Sequence, residues 1–147
     1  MSFHDDLVAD AVWPTDLKTA LALASTAGIT VGRQPQKVPR PGDLDVTIEL
    51  REHKQRGTSA QRITEWVYRL HLAKTENAGP RIAGTTQVAT LQAHVETLCD
   101  RYHGARVLTA TLPTLVSMAC ELETFDEEPD DQGAQRAALR VSWFVKG

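Results

Sequence analysis

The chain has 147 residues, of which 41% are hydrophobic and 24% charged. This is the size and composition of one folded domain, and it excludes a disordered chain. The formal net charge of -3 disfavours polynucleotide binding as the main activity, because the protein has no global basic field.

The chain shows no sign of membrane insertion or export. No apolar run approaches the roughly 18 residues that a membrane-spanning helix needs. The first residues, Met1 to Asp6, are acidic where a signal peptide is basic. We therefore expect a protein of the cytosol, or of a particle assembled there.

Residues 2–31 predict an N-terminal helical segment. A short helix over 2–13 would place apolar residues on one face, and Pro14 would end or redirect it. A second helix would begin near Thr15 or Asp16 and end at Gly28.

A proline-rich stretch, 32–43, follows this segment. Three prolines lie within seven of its residues, which excludes both a helix and a central strand. We interpret it as an extended connector inside one domain, 1–147, because the preceding helices are too few to form a core. The remaining residues, 44–147, would form a hairpin–helix–hairpin core.

The clearest strands alternate apolar and polar residues over 44–50 and 65–72. Between them, residues 51–62 predict a long hairpin loop with four Lys or Arg side chains and one Glu. An amphipathic helix follows over 86–103, with its apolar residues at helical spacing. They are Val88, Leu91, Val95, Leu98 and Tyr102.

The last third predicts a short strand over 107–112 and a second hairpin. Its strands are 115–125, with Val116, Met118, Cys120 and Leu122 on one face, and 137–145. An acidic loop, 126–133, joins them. The whole order, α-ββ-α-ββ, predicts an α+β fold: an antiparallel sheet of four to five strands with two main helices on one face.

No residue pattern indicates catalysis, a cofactor or a metal site, and we expect a protein that is not an enzyme. Cys99 and His103 lie one helical turn apart, but no motif supplies an oxyanion hole. His94 and His103 would face in different directions on the helix. Two cysteines are too few for a structural zinc site, and they fit small buried residues better than a redox pair.

Two charged segments are the candidate assembly interface. A basic group lies in 51–62 and an acidic group in 126–131, and opposite charges on separate patches suit head-to-tail contacts between identical subunits. A solvated hairpin tip is the alternative interpretation of each. The candidate residues are Arg51, Lys54, Arg56, Arg62, Asp126, Glu127, Glu128, Asp130 and Asp131.

The order of elements resembles that of the tail terminator, or tail completion, proteins of long-tailed bacteriophages. The matching parts are an N-terminal helix at 15–27, a hairpin with a long loop at 44–72, a second helix at 86–103 and closing strands at 115–145. An acidic turn before the last strand, with Gly133, is also similar. Segments 2–13 and 32–42 are not features of that family.

The resemblance implies a virion protein, assembled in the bacterial host cytoplasm, without a cofactor. It implies a homohexameric ring that caps the tail tube, binds the tail tube protein and the head connector or neck protein, and has room for non-specific DNA contact in its channel. Three alternatives stay open: a head-closure or neck protein, a small ligand-binding module or enzyme of ferredoxin-like build, and an antitoxin or small adaptor that dimerises.

Overall fold

The computed structural model describes residues 3–23, 29–32, 44–58, 61–75, 85–103, 108, 112–126 and 134–146. Its helices are α1 (Phe3–Leu7), α2 (Trp13–Ala20) and α3 (Thr85–Arg101). Its strands are β1 (Ile29–Val31), β2 (Leu44–Thr58), β3 (Gln61–Thr75), β4 (Leu115–Phe125) and β5 (Ala134–Lys146). The α+β class expected from the sequence is confirmed.

The strands form one sheet in the order β1-β2-β3-β5-β4. The four long strands pair antiparallel, as the two hairpins predicted. β1 was not anticipated, and it pairs parallel to β2, with Ile29 opposite Val46, so the sheet is mixed. Its sequence, Ile-Thr-Val, consists of β-branched residues, which favour strands, within a segment that we had interpreted as helical.

The N-terminal helices differ in extent from the prediction. α1 ends at Leu7, and α2 begins at Trp13 rather than at Thr15 or Asp16. Pro14 lies in the first turn of α2, where its missing N–H would have no helical partner in any case. Pro14 therefore starts a helix instead of ending one. α2 closes at Ala20, and the expected end at Gly28 lies outside the described residues.

The core lies between the helices and one face of the sheet. Trp13 is fully buried, and its ring makes edge-to-face contacts with Tyr68 and Trp143 at centroid distances of 5.2 and 5.0 Å. From α3, four of the predicted apolar residues are buried: Leu91, Val95, Leu98 and Tyr102. Each fully buried large side chain contributes about 1.5–3 kcal/mol to the stability of the fold. These contacts therefore hold the helices against the sheet.

The prediction of a long loop over 51–62 is wrong. β2 continues to Thr58 and β3 starts at Gln61, with Thr58 and Gln61 as partners in the ladder. A β-bulge at Arg51, between Leu50 and Glu52, precedes this extension. The extension carries no apolar alternation because neither of its faces lies in the core, while backbone hydrogen bonds to β3 still hold it as a strand.

β4 departs from the simple alternation expected of it. Register shifts occur between Leu115 and Ser117, and between Leu122 and Thr124. The first shift takes Val116 out of the alternation, whereas Leu122 stays opposite the core residue Leu139. Val116 is 37% and Leu122 46% exposed, whereas Met118 is buried at 2%. The strand expected at 107–112 falls mostly outside the described residues. Leu112 N–H donates to the Leu108 carbonyl at 2.7 Å, a turn and not a strand contact.

Candidate assembly surface

The sheet face that points away from the helices is charged. We call it the polar face, and it comprises side chains from β2 to β5 that alternate with core residues. Its main charged members are Glu49, Glu52, Glu65, Arg69, His71, Glu121, Glu123 and Arg140. A shallow depression on this face is lined by Arg51, Glu52, Val67, Glu123 and Arg140.

Contacts between ionisable side chains connect the strands across the polar face. His71 Nε2 and Glu49 Oε1 lie 2.9 Å apart, and Arg69 Nε lies 3.3 Å from Glu123 Oε1. The Arg140 guanidinium approaches Glu65 at 3.9 Å, a carboxylate whose side chain is only 6% exposed. Three of the five glutamates on this face are therefore paired within the subunit by these contacts.

The predicted basic residues lie along β2 and at the start of β3. Arg51 is exposed and pairs with Glu49 at 3.5 Å, and Lys54 pairs with Glu52 at 3.5 Å. Exposed pairs of this kind contribute little to stability, which leaves both cations available to a partner. Arg56 is paired in the ladder with Ile63, and the exposed Arg62 with Gly57.

Of the predicted acidic residues, the structure describes Asp126. It is exposed at the end of β4, and its backbone N–H donates to the Arg136 carbonyl at 2.9 Å. The other four predicted acids lie outside the described residues: Glu127, Glu128, Asp130 and Asp131.

The basic and acidic groups do not meet within one subunit. At the end of β4, Phe125 pairs with Ala137, which pairs in turn with Leu72 of β3. Leu72 pairs with Val46 near the start of β2, so the acidic end of β4 lies at the same height in the sheet as Val46. The basic end of β2 lies 11 residues further along, or roughly 35 Å at strand spacing. The two groups also lie on opposite sides of the sheet, since β2 and β4 are separated by β3 and β5.

β4 itself is acidic and exposed. Glu121 and Glu123 are exposed on this strand, and no Lys, Arg or His occurs between 112 and 126. From the sequence, two acids on one strand face indicate an exposed strand edge that carries charge, and the sheet order places β4 at such an edge.

The buried titratable groups form contacts inside the fold. Cys120 Sγ lies 3.9 Å from Cys99 Sγ, and burial is the main cause of the raised pKa of both thiols. Burial also lowers the pKa of His94. Within the described ranges, no three His, Cys, Asp or Glu side chains are grouped to hold a metal ion. No described helix has the length and apolarity to cross a bilayer.

Comparison with known proteins finds similar solved structures and no family. No family model matches the chain, and no curated protein matches it. A chain from a structure described as "Virion of native gene transfer agent (GTA) particle" aligns with a TM-score of 0.47 and 18% identity, over 98% of this chain and 91% of that one. At this similarity the match assigns neither a family nor a function.

Proposed function

We propose that the chain is a structural virion protein that assembles into a ring, caps a tail tube and joins it to the head connector. One observation carries the assembly part of this proposal: the end of β2 at 51–58 has three Lys or Arg against one Glu, β4 has only acidic charges, and β2 and β4 lie on opposite sides of the sheet. A subunit with two complementary and separate surfaces binds copies of itself head to tail, and such contacts close into a ring when the rotation permits.

The role at the tail rests on the order of elements. The two long hairpins and the amphipathic helix between them, residues 44–75, 85–101 and 115–146, retain the order that resembles the tail terminator proteins. That role consists of binding alone: one surface would dock on the last ring of the tube, and the opposite surface would receive the neck. The polar face, with its paired charges, suits a hydrated protein contact of this kind.

Two alternatives predict different assemblies. A head-closure or neck protein would also form a ring but would bind the connector without stopping tube growth. An adaptor or ligand-binding module outside a virion would be a monomer or a two-fold dimer. The first alternative shares the charge argument given above, whereas the second leaves the opposite charges of residues 51–58 and β4 unexplained.

Two measurements test the proposal. Light scattering over a range of protein concentrations should give a ring mass of about six subunits at low salt, and negative-stain images should show a central channel. The tube protein of the same particle, polymerised with and without this chain, should give shorter tubes when the chain is added. Ring formation without any effect on tube length would favour the neck protein, and a strict dimer would contradict both virion roles.

A further inference from the structure

We propose that neighbouring copies join by strand pairing, with β4 of one copy adding to the outer edge of β2 in the next. This inference rests on the proposed self-assembly and names the surfaces that form it. The regular part of β4 between its two bulges is 117–122, and the regular part of β2 beyond its bulge is 52–58. The two segments, six and seven residues long, therefore differ in length by a single residue.

Both segments are outer strands with a side that no described strand occupies. β1 covers β2 only from Val46 to Ile48, and Gly32 N–H makes the last contact, to the Ile48 carbonyl at 2.9 Å. β4 pairs with β5 on one side and with no described strand on the other. Backbone N–H and C=O groups along such edges are available to another chain.

The strand directions allow the sheet to continue from copy to copy. β3 runs opposite to β2, β5 opposite to β3, and β4 opposite to β5. A second copy placed beside the first with the same face upward would therefore run its β4 antiparallel to β2. In antiparallel pairing, the backbone hydrogen bonds between two strands run perpendicular to the strands.

The charges select this pairing over a two-fold one. β4 paired with β4 would bring Glu121 and Glu123 of two copies together, and like charges facing each other across strands are destabilising. β4 paired with β2 brings Glu121, with Glu123 just beyond the paired segment, to a segment that contains His53, Lys54 and Arg56 and one acid, Glu52. The exposed Val116 and Leu122 of β4 would lose solvent contact in the same step, which adds a hydrophobic contribution.

A pair of charge-reversed variants tests the pairing. One carries Lys54→Glu and Arg56→Glu on β2, and the other carries Glu121→Lys and Glu123→Lys on β4. Each variant alone would present like charges at every contact, and we expect its assembly midpoint to rise by at least about tenfold in concentration. An equimolar mixture would alternate the two and restore the wild-type midpoint, since every contact is complementary again.

Control measurements and two contrary outcomes complete the test of strand pairing. Circular dichroism and thermal unfolding establish that each variant folds, and because Glu123 pairs with Arg69, the single change Glu121→Lys serves as a milder variant of β4. If the β2 variant alone still assembles like wild type, or if the mixture fails to assemble although both variants fold, the strand pairing is wrong while ring formation stands. A wild-type chain that stays monomeric at every concentration overturns the strand pairing and the ring together.

Discussion

Asp16 of α2 and Arg101 of α3 form a bidentate ion pair between two helices that are far apart in the sequence. Arg101 Nε donates to Asp16 Oδ2 at 2.8 Å, Nη2 donates to Oδ1, and the Tyr102 hydroxyl donates to Oδ2 at 2.7 Å. The Asp16 side chain is only 10% exposed. The hydrogen bond to Asp16 is the largest cause of the raised pKa of Arg101, so this contact fixes how α2 lies against α3.

Replacing Asp16 with Asn should destabilise the fold. The amide keeps the shape but loses the charge and can accept through only one atom, so Arg101 and Tyr102 lose part of their pairing. We expect the free energy of unfolding in urea to fall by about 1–3 kcal/mol. Asp6→Asn, at an exposed position of α1, is the matched control and should change it by less than about 0.5 kcal/mol. Equal losses in the two variants would contradict a structural role for the pair.

Alkaline pH should unfold the protein progressively. Burial is the main cause of the raised pKa of Tyr68, Tyr102, Cys99 and Cys120. A group whose pKa is raised in the folded state loses its proton first in the unfolded state, so its contribution to stability is complete below the ordinary pKa and declines as the pH rises above it. The ordinary values are 9.0 for Cys and 10.0 for Tyr, so the decline should start near pH 9.

Tyrosinate absorbance measures this effect directly, because the chain contains only two tyrosines. Native protein should titrate well above pH 10 and only as it unfolds, while protein in urea should titrate at the ordinary value. Tyr68→Phe and Tyr102→Phe should each make the loss of stability with pH less steep. Normal titration of both phenols in a protein that remains folded would show that they are not buried as described.

Val116 and Met118 test the first bulge of β4. Simple alternation puts both side chains in the core, whereas the structure leaves Val116 37% exposed and Met118 2% exposed. Met118→Ala should therefore lower the free energy of unfolding by about 2–4 kcal/mol, and Val116→Ala by less than about 0.5 kcal/mol. Comparable losses would mean that the register shift between Leu115 and Ser117 is absent.

The sequence predicts the fold where burial imposes a period. Leu139, Val141 and Trp143 alternate because one face of β5 lies in the core, and the α3 residues repeat at helical spacing for the same reason. The alternation of apolar and polar residues is absent where neither face of a strand is buried. The sequence therefore predicts a loop for the extension of β2. The parallel strand β1 is too short to show a period at all.

The candidate site was predicted in part. The basic residues were found because they cluster in the chain, and so was Asp126. Their relation to one another was not, because strand order depends on which hydrophobic faces fit together in three dimensions. The sequence indicates that Glu121 and Glu123 lie on an exposed strand edge, and the sheet order adds that this edge lies outside β5. The bulges could not be predicted from the alternation of apolar and polar residues, because that alternation assumes a regular strand and a bulge interrupts it.

The extension of β2 provides a last test, because a strand and a loop respond differently to shortening. Arg56 and Ile63 are partners in the ladder, so replacing residues 57–62 with Asn-Gly would close the hairpin with a two-residue turn in the same register. We expect this variant to keep its stability within about 1 kcal/mol of wild type.

Deleting residues 53–60 instead removes the pairs opposite Trp66, Glu65 and Thr64 and the stacking of His53 on Trp66 at 4.6 Å. At about 0.2–1 kcal/mol for each lost cross-strand pair, that deletion should cost about 2 kcal/mol or more. Urea unfolding compares the two variants, and hydrogen exchange should show protected amides over 52–56 in the first. If both variants were equally stable, residues 51–62 would be a loop after all, and β2 would offer no edge to a neighbouring copy.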